Sequence, residues 1–358
     1  MDKIRVLVVD DSSTMRRIIT DVLSADPELE VVGTAANGRI ALEKLPELKP
    51  DVMTLDIEMP EMDGLQTVPH VKRSHSRLPI IMFSSLTEQG ASHTLQALAL
   101  GAADYVTKPT AQGAAGDLKS TIAEELIGKI KALTRNSRRG LSTSAPTGVT
   151  AVSAPQVIPL PSTPCVAQIV AVGVSTGGPN ALPEVIGRLP KNFGCPIVVV
   201  QHMPPTFTKM FADRLNGSSE LTVCEAHDGQ ELQPGAVYVA PGGYHMFLKR
   251  DAATNVVRVA LNQDAPENSC RPAADVLFRS VAELYGERAL AVVLTGMGQD
   301  GLRGCQAIAA AGGSVLAQDQ ATSVVWGMPG AVVNAGLARS VLPLEQVAAG
   351  VIDAAYRA

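Results

Sequence analysis

The sequence is poor in paired cysteines, in aromatic rings and in positive charge, and each shortage removes a class of protein. Its five cysteines, Cys165, Cys195, Cys224, Cys270 and Cys305, are an odd number without a CxxC pair. That pattern offers neither a disulfide framework nor a zinc site, and leaves reduced thiols in packing roles. Aromatic residues make up 3% of the chain and the formal net charge is -5. A nucleic-acid binder needs a basic face and rings on which bases stack, so that class is disfavoured. Apolar stretches such as PIIMF and PIVVVQ fall far short of the roughly 20 residues of a membrane span. The opening MDKIRVLVVDDS puts acids where a signal peptide needs its cleavage site. A cytoplasmic protein with no membrane insertion is expected.

What is present is material for two cores: 358 residues, 46% of them hydrophobic, exceed one typical domain. From the N-terminus, short apolar runs alternate with amphipathic segments: IRVLVV then STMRRIITDVL, VVGTA then GRIALEKL, DVMTLDI then GLQTVPHVK, PIIMFS then TLQALAL, DYVTK then LKSTIAEELIGKIKAL. Five strands each followed by a helix predict a doubly wound α/β domain with a parallel sheet over residues 1–135. Residues 136–165 have no sustained period and are rich in Pro, Ser, Thr and Ala, the composition of a semi-flexible tether. A second α/β series opens with VAQIVAVGV and fills 166–358. Within it HMFLK and VVRVAL, joined through RDAATN, predict an antiparallel hairpin added to a mainly parallel sheet.

In the first domain Asp10 and Asp11 fall at the end of the first strand, Asp56 at the end of the third, and Lys108 after the fifth. A parallel sheet gathers these ends at one edge, where such sheets bind ligands. Carboxylates that close repel one another unless a cation lies among them, and hard oxygen ligands suit Mg²⁺. Asp56 could then attack phosphorus as a carboxylate nucleophile; the competing reading is a set of solvated loop acids.

VLVVDDS, DIEMPEMDG, MFSS and DYVTKP resemble the receiver domains of two-component response regulators, over residues 1 to about 125. The resemblance implies a five-stranded, flavodoxin-like fold with Asp56 as phosphoacceptor and a histidine kinase as phosphodonor. It implies Mg²⁺ held by Asp10, Asp11, Asp56 and the backbone carbonyl of Glu58. Ser84 and Lys108 are implied as phosphate contacts, and Tyr105 as the ring that responds to them.

In the second domain GVSTG, residues 173–177, fits the GxSxG elbow of serine hydrolases, but a glycine turn that cradles a phosphate would read the same way. A serine nucleophile needs a base and a group to hold that base. Of the three histidines there, His202 follows the strand PIVVVQ and leaves the sheet at the same edge as Ser175. His227 and His245 lie in the hairpin-rich middle and read as surface or satisfied residues. Asp300 follows the strand ALAVVLT at that same edge, although it could instead cap a helix. The order Ser, His, Asp is not that of α/β-hydrolases, but a triad is defined by geometry. The turns STGG and TGMGQDG can present backbone N–H groups to an oxyanion.

VGVSTGGPNAL, QHMP, VYVAPGGYHM, TGMGQDG and VVWGMPGAV look like the catalytic domain of the chemotaxis protein-glutamate methylesterases, the CheB family. A receiver, a linker and this domain are that family's architecture. The resemblance implies an α/β catalytic domain in which Ser175 is the nucleophile, His202 the base and Asp300 the orienting acid. Thr176 is implied to help hold the histidine, and the Met297 N–H to be an oxyanion donor. No metal is implied there. The implied substrates are glutamate methyl esters on methylated chemoreceptor cytoplasmic domains, and receptor glutamines by deamidation. A monomer is expected, its receiver a lid that phosphorylation loosens. A DNA-binding output is disfavoured, because residues 166–358 carry 13 Lys and Arg against 16 Asp and Glu and show no helix-turn-helix pattern. A nucleotide-binding module is the other rival, and loss of turnover in Ser175→Ala discriminates against it.

Overall fold

The computed structural model describes residues 2–108, 122–138, 158 and 166–356, with side chains of 136–138 left aside. The chain divides into two compact units, Met1–Leu141 and Ser142–Ala358. The expected tether, 136–165, lies largely outside the described residues, as does Pro109. No helix among the described residues is long and apolar enough to cross a membrane.

The N-terminal unit runs β1 (Ile4–Val9), α1 (Ser13–Ser24), β2 (Leu29–Ala35), α2 (Gly38–Leu48), β3 (Val52–Asp56), α3 (Gly64–Ser74), β4 (Ile80–Ser84), α4 (Glu88–Ala99) and β5 (Asp104–Thr107). A π-helical turn, Ala123–Ile127, leads into α5 (Gly128–Arg138). The strands are parallel in the order β2-β1-β3-β4-β5. Every residue of β3 and β4 is buried, as strands covered on both faces by helices must be, which is why their sequences run apolar without alternation. Side-chain caps start the helices where the strands release the chain: Ser12 accepts from the Met15 amide, and Asp63 forms a reciprocal capping box with Gln66.

The C-terminal unit runs β6 (Ile169–Val174), α6 (Gly178–Ile186), β7 (Ile197–Gln201), α7 (Pro205–Gly217), β8 (Thr222–Glu225), β9 (Ala236–Val239), β10 (His245–Arg250) and β11 (Val257–Asn262). It continues with α8 (Ala274–Tyr285), β12 (Ala289–Val293), α9 (Leu302–Ala310), β13 (Ser314–Gln318), α10 (Met328–Asn334), β14 (Ser340–Leu342) and α11 (Leu344–Tyr356). Its main sheet has seven strands in the order β14-β13-β12-β6-β7-β9-β8, all parallel. The hairpin is present, with His245 opposite Asn262, but it forms a sheet of its own. β14, α10 and α11 go beyond the elements read from sequence; β14 is three residues long and mostly exposed, too short for a period to register.

β6 is the first strand of this unit, with β7 on one side and β12 on the other, so the strand order reverses beside it. Ligands gather at such a reversal, beyond the carboxyl ends of the strands. The core beneath is built by α8 and α9 on β6 and β12, around Ile169, Ala171, Val293, Phe278, Val281 and Cys305. Phe278 is fully buried, and a ring so placed stabilises by roughly 1.5–3 kcal/mol. It anchors α8, whose first turn reaches the functional site.

Candidate functional sites

The C-terminal unit brings Ser175, His202 and Asp300 to one edge, just after β6, β7 and β12. Ser175 sits in the turn between β6 and α6, its amide bonded to Thr295 O at 3.0 Å and its carbonyl accepting from Gln201 Nε2 at 3.0 Å and the Gly178 amide at 2.8 Å. Gly177 begins α6 at φ +84, a left-handed conformation in which a side chain is strained. On the other side Gly296 comes so close that a Cβ there would stand 2.9 Å from Ser175 Cβ. The glycines of STGG and TGMG therefore bring two strand ends together around the serine.

His202 Nε2 lies 2.8 Å from Asp300 Oδ2. Asp300 is 2% exposed, and five donors surround its carboxylate. Oδ1 accepts from Asn268 Nδ2 and from the amides of Asp275 and Gly301, each at 3.0 Å, while Oδ2 accepts from the Ala274 amide at 2.6 Å as well as from His202. Ala274 and Asp275 open α8, so the carboxylate lies at a helix N-terminus, where the helix dipole favours negative charge. Burial works against that charge, but the His202 hydrogen bond and charge and the α8 amides outweigh it and hold the carboxyl below its ordinary range. Burial likewise opposes the His202 cation, yet hydrogen bonds to Asp300 and Cys270, with their charges, push the ring up to about 9.

The second ring nitrogen, Nδ1, faces Cys270 Sγ at 3.5 Å. No hydrogen bond joins Ser175 Oγ to the imidazole among the described residues; the Thr176 carbonyl accepts from Thr295 Oγ1 at 2.9 Å. The Met297 side chain is exposed, and its amide, between Gly296 and Gly298, meets no acceptor among the described residues. His227 is exposed. His245 is buried, with Nε2 3.1 Å from Ala265 O.

Sequence reasoning missed Asn268, Cys270 and Asp275. Asp275 lies in the first turn of α8, and Asn268 and Cys270 come from a tight turn, Glu267–Cys270, closed by reciprocal backbone bonds of 3.1 and 2.9 Å. Asn268 and Ser269 take φ values of 51 and 62, the pattern of a type I′ turn. Two anchors fix this turn to α8: Arg279 holds Glu267 with bonds of 2.7 and 2.6 Å, and Asn268 Nδ2 bonds Asp275 Oδ2 at 2.9 Å. The only sequence signal was the positive-φ preference of Asn in NSC.

In the N-terminal unit Asp10 and Asp56 are buried and Asp11 is exposed, with carboxylate oxygens within 4.8 Å of one another. This all-oxygen set suits a hard divalent cation. Lys108 Nζ bridges Asp56 Oδ2 at 2.7 Å and Asp10 Oδ2 at 3.4 Å, while Asp10 Oδ2 is buried with no hydrogen-bond partner. Burial pushes the Asp56 carboxyl up to about 6; the Asp10 charge adds to it, and Lys108 and the Ile57 amide oppose it. For Lys108, burial is outweighed by Asp56 and Asp10, which hold the ammonium above its ordinary range. Glu58 is exposed and lines a cavity of about 460 Å³ with Asp11, Met59, Asp63 and His93. Ser84 Oγ is turned to α4, 3.0 Å from Gly90 O and 2.6 Å from Thr94 Oγ1. Tyr105 is buried, its carbonyl accepting from Lys129 Nζ at 2.5 Å.

Residues 170–351 match the family model for CheB methylesterase, and residues 6–118 match that for the response regulator receiver domain. A protein-glutamate methylesterase/protein-glutamine glutaminase of a Nocardioides species is 53% identical over 350 residues, covering 97% of this chain and 94% of that protein. Its counterpart in Trichodesmium erythraeum is 48% identical over 356 residues, 98% of this chain and 99% of that one. The crystal structure of the Thermotoga maritima CheB methylesterase catalytic domain is 48% identical, with a TM-score of 0.51, and covers 52% of this chain and 98% of that one. The matches define a response regulator whose output is a hydrolase. The chain belongs to the CheB methylesterase family, with a receiver domain preceding the catalytic one.

Proposed function

We propose that residues 166–358 hydrolyse glutamate methyl esters on chemoreceptor cytoplasmic domains, and deamidate receptor glutamines, with Ser175 as nucleophile, His202 as base and Asp300 as orienting acid. The observation that carries this reading is the 2.8 Å His202–Asp300 bond, formed beside Ser175 on a carboxylate already held by four other donors. With Nε2–H given to Asp300, Nδ1 keeps the lone pair of the neutral ring. Ser175 Oγ adds to the ester carbonyl carbon as its proton passes to His202. The developing oxyanion accepts from the Met297 amide, which meets no acceptor among the described residues. Collapse breaks the bond to methoxide, which leaves as methanol with the proton from His202. Water, deprotonated by His202, then splits the acyl-enzyme to glutamate and free serine. A glutamine takes the same route and releases ammonia. Thr176 sits beside the nucleophile as a supporting residue of its turn.

In this reading residues 1–135 form the receiver and 136–165 the tether. Asp10, Asp11, Asp56 and the Glu58 carbonyl would hold Mg²⁺, which when bound offsets the charge of an incoming phosphoryl group. The buried Asp10 Oδ2, met among the described residues only by the 3.4 Å Lys108 contact, fits such a ligand. Asp56 takes the phosphoryl group from a chemotaxis histidine kinase, and Lys108 is already at the carboxylate to contact it. Ser84 must release Gly90 and Thr94 to do the same, and the buried Tyr105 ring responds. The receiver restrains the esterase until Asp56 is phosphorylated. The test is methanol release from methylated receptor membranes by the full chain, with and without a small phosphodonor. Hydrolysis at the parent rate by Ser175→Ala would overturn the assignment.

A further inference from the structure

Cys270 has no part in the reaction just described, yet it supplies the second partner of the base. We propose that Cys270 is a positioning residue for His202, whose thiol holds ring nitrogen Nδ1 in a resting pose that the ring must leave to serve Ser175. This rests on the reading of His202 as the base.

Three observations support it. Both ring nitrogens are engaged, Nε2 by Asp300 at 2.8 Å and Nδ1 by Cys270 Sγ at 3.5 Å, while Ser175 Oγ has no hydrogen bond among the described residues. The thiol is held in place: its turn is fastened to α8 by the two-bond Arg279–Glu267 pair and by Asn268 on Asp275. Among the described cysteines, Cys195 and Cys305 are buried, Cys224 accepts from Gln230, and Cys270 alone meets an imidazole.

A sulfur contact is weak, and a bond that net contributes on the order of 1 kcal/mol is readily exchanged for one to a serine hydroxyl. A fixed carboxylate on one nitrogen and a yielding thiol on the other let the ring hinge about Asp300. The titratable groups bonded to the imidazole are Asp300 from the loop after β12 and Cys270 from the turn before α8; the neutral Ser175 follows β6, the strand paired with β7. Behind Asp300 stand Asp275 and Glu267, the latter paired with Arg279, while the Arg271 guanidinium is given to the carbonyls of Gln263 and Asp264. In the resting, protonated ring Nδ1–H donates to the Cys270 sulfur, which favours the cation, so removing it leaves more neutral base near pH 7.

The full-length protein carries the test. In Cys270→Ala, the rising limb of kcat/KM against pH and the NMR titration of His202 both move down by roughly half a unit to one unit, and the rate at neutral pH rises severalfold. Cys270→Ser, which keeps a hydrogen-bonding group, stays near the parent midpoint. In the unsubstituted chain, alkylation of Cys270 by iodoacetamide, followed by peptide mass spectrometry, shows a step at the His202 midpoint that disappears in His202→Gln. Superimposable titrations in Cys270→Ala overturn the proposal. Should that variant fail to fold, alkylation without a step at the His202 midpoint overturns it instead. The alkylation needs no turnover, so an active Ser175→Ala, which would sink the catalytic reading, is a separate outcome.

Discussion

The two units place their sites alike and prepare them in opposite ways. Each puts its reactive groups beyond the carboxyl ends of a parallel sheet, where the strand order reverses around its first strand. In the receiver the buried carboxylates share one cation: Lys108 Nζ lies 2.7 Å from Asp56 Oδ2 and 3.4 Å from Asp10 Oδ2, and burial still pushes Asp56 up to about 6. In the catalytic unit Asp300 is saturated by five donors and held below its ordinary range. On the proposed reading, a site that takes up a cation and a phosphoryl group keeps its two buried carboxylates on a single lysine until they arrive. On the same reading, a site that holds one imidazole through a whole cycle is compensated beforehand, because reorganisation during the reaction adds to the barrier.

The comparison is broken most directly in the catalytic unit. Ser175→Ala and His202→Ala are expected to lower turnover by roughly 10⁴-fold or more, with Asp300→Ala the mildest of the three and the fold retained in each. Methanol release with circular dichroism checks this, and a folded His202→Ala of near-parent activity contradicts it. On the receiver side, Asp56→Asn is expected to abolish labelling by a radioactive phosphodonor while basal methanol release persists. Labelling at the parent rate would remove Asp56 from its role.

Smaller changes sharpen the contrast. Asn268→Ala removes one of five donors, so kcat should fall about tenfold, the cost of one charge-assisted hydrogen bond of roughly 1.5 kcal/mol, with KM little changed. An unchanged kcat would show that the remaining donors suffice. The smallest effect reverses sign between the units. A carboxyl raised by folding binds more protons folded than unfolded, so the receiver should lose stability as pH rises from its ordinary carboxylate range through about 6. Asp56→Asn relieves that and leaves Lys108 with Asp10, raising receiver stability at neutral pH by on the order of 1 kcal/mol without metal. Asp300, held low, gives stability that is present above its unfolded value and lost as pH falls through its folded one. Urea midpoints of the two transitions across pH 3–8 check both signs; a receiver that gains stability through pH 6 would contradict the first.

Strand ends were legible in the sequence because apolar runs and the polar residues that terminate them are local. Asp10, Asp56, Lys108, Ser175, His202 and Asp300 each follow such a run, and parallel pairing carries them to an edge. The quoted motifs were long enough to identify both domain families. The hairpin was visible as two runs and a turn, but its separation from the main sheet was not, since alternation says nothing of which edge a strand meets. Three of the five donors of Asp300 come from Asn268 and the first turn of α8, 25 to 32 residues away in sequence, with no periodic signal to join them.

By itself the sequence determined the two α/β series, the order of their strands and helices, and the residue types waiting at each strand end, because these follow from local hydrophobic period and turn chemistry. Only the tertiary structure decided which partners those residues meet. Packing of α8 on β6 and β12 brings its free amides to Asp300. The turn before α8, with two left-handed residues, lays Asn268 on that carboxylate and Cys270 on His202. Such contacts depend on how whole elements dock, and side-chain volume across a core sets that docking where no local pattern records it.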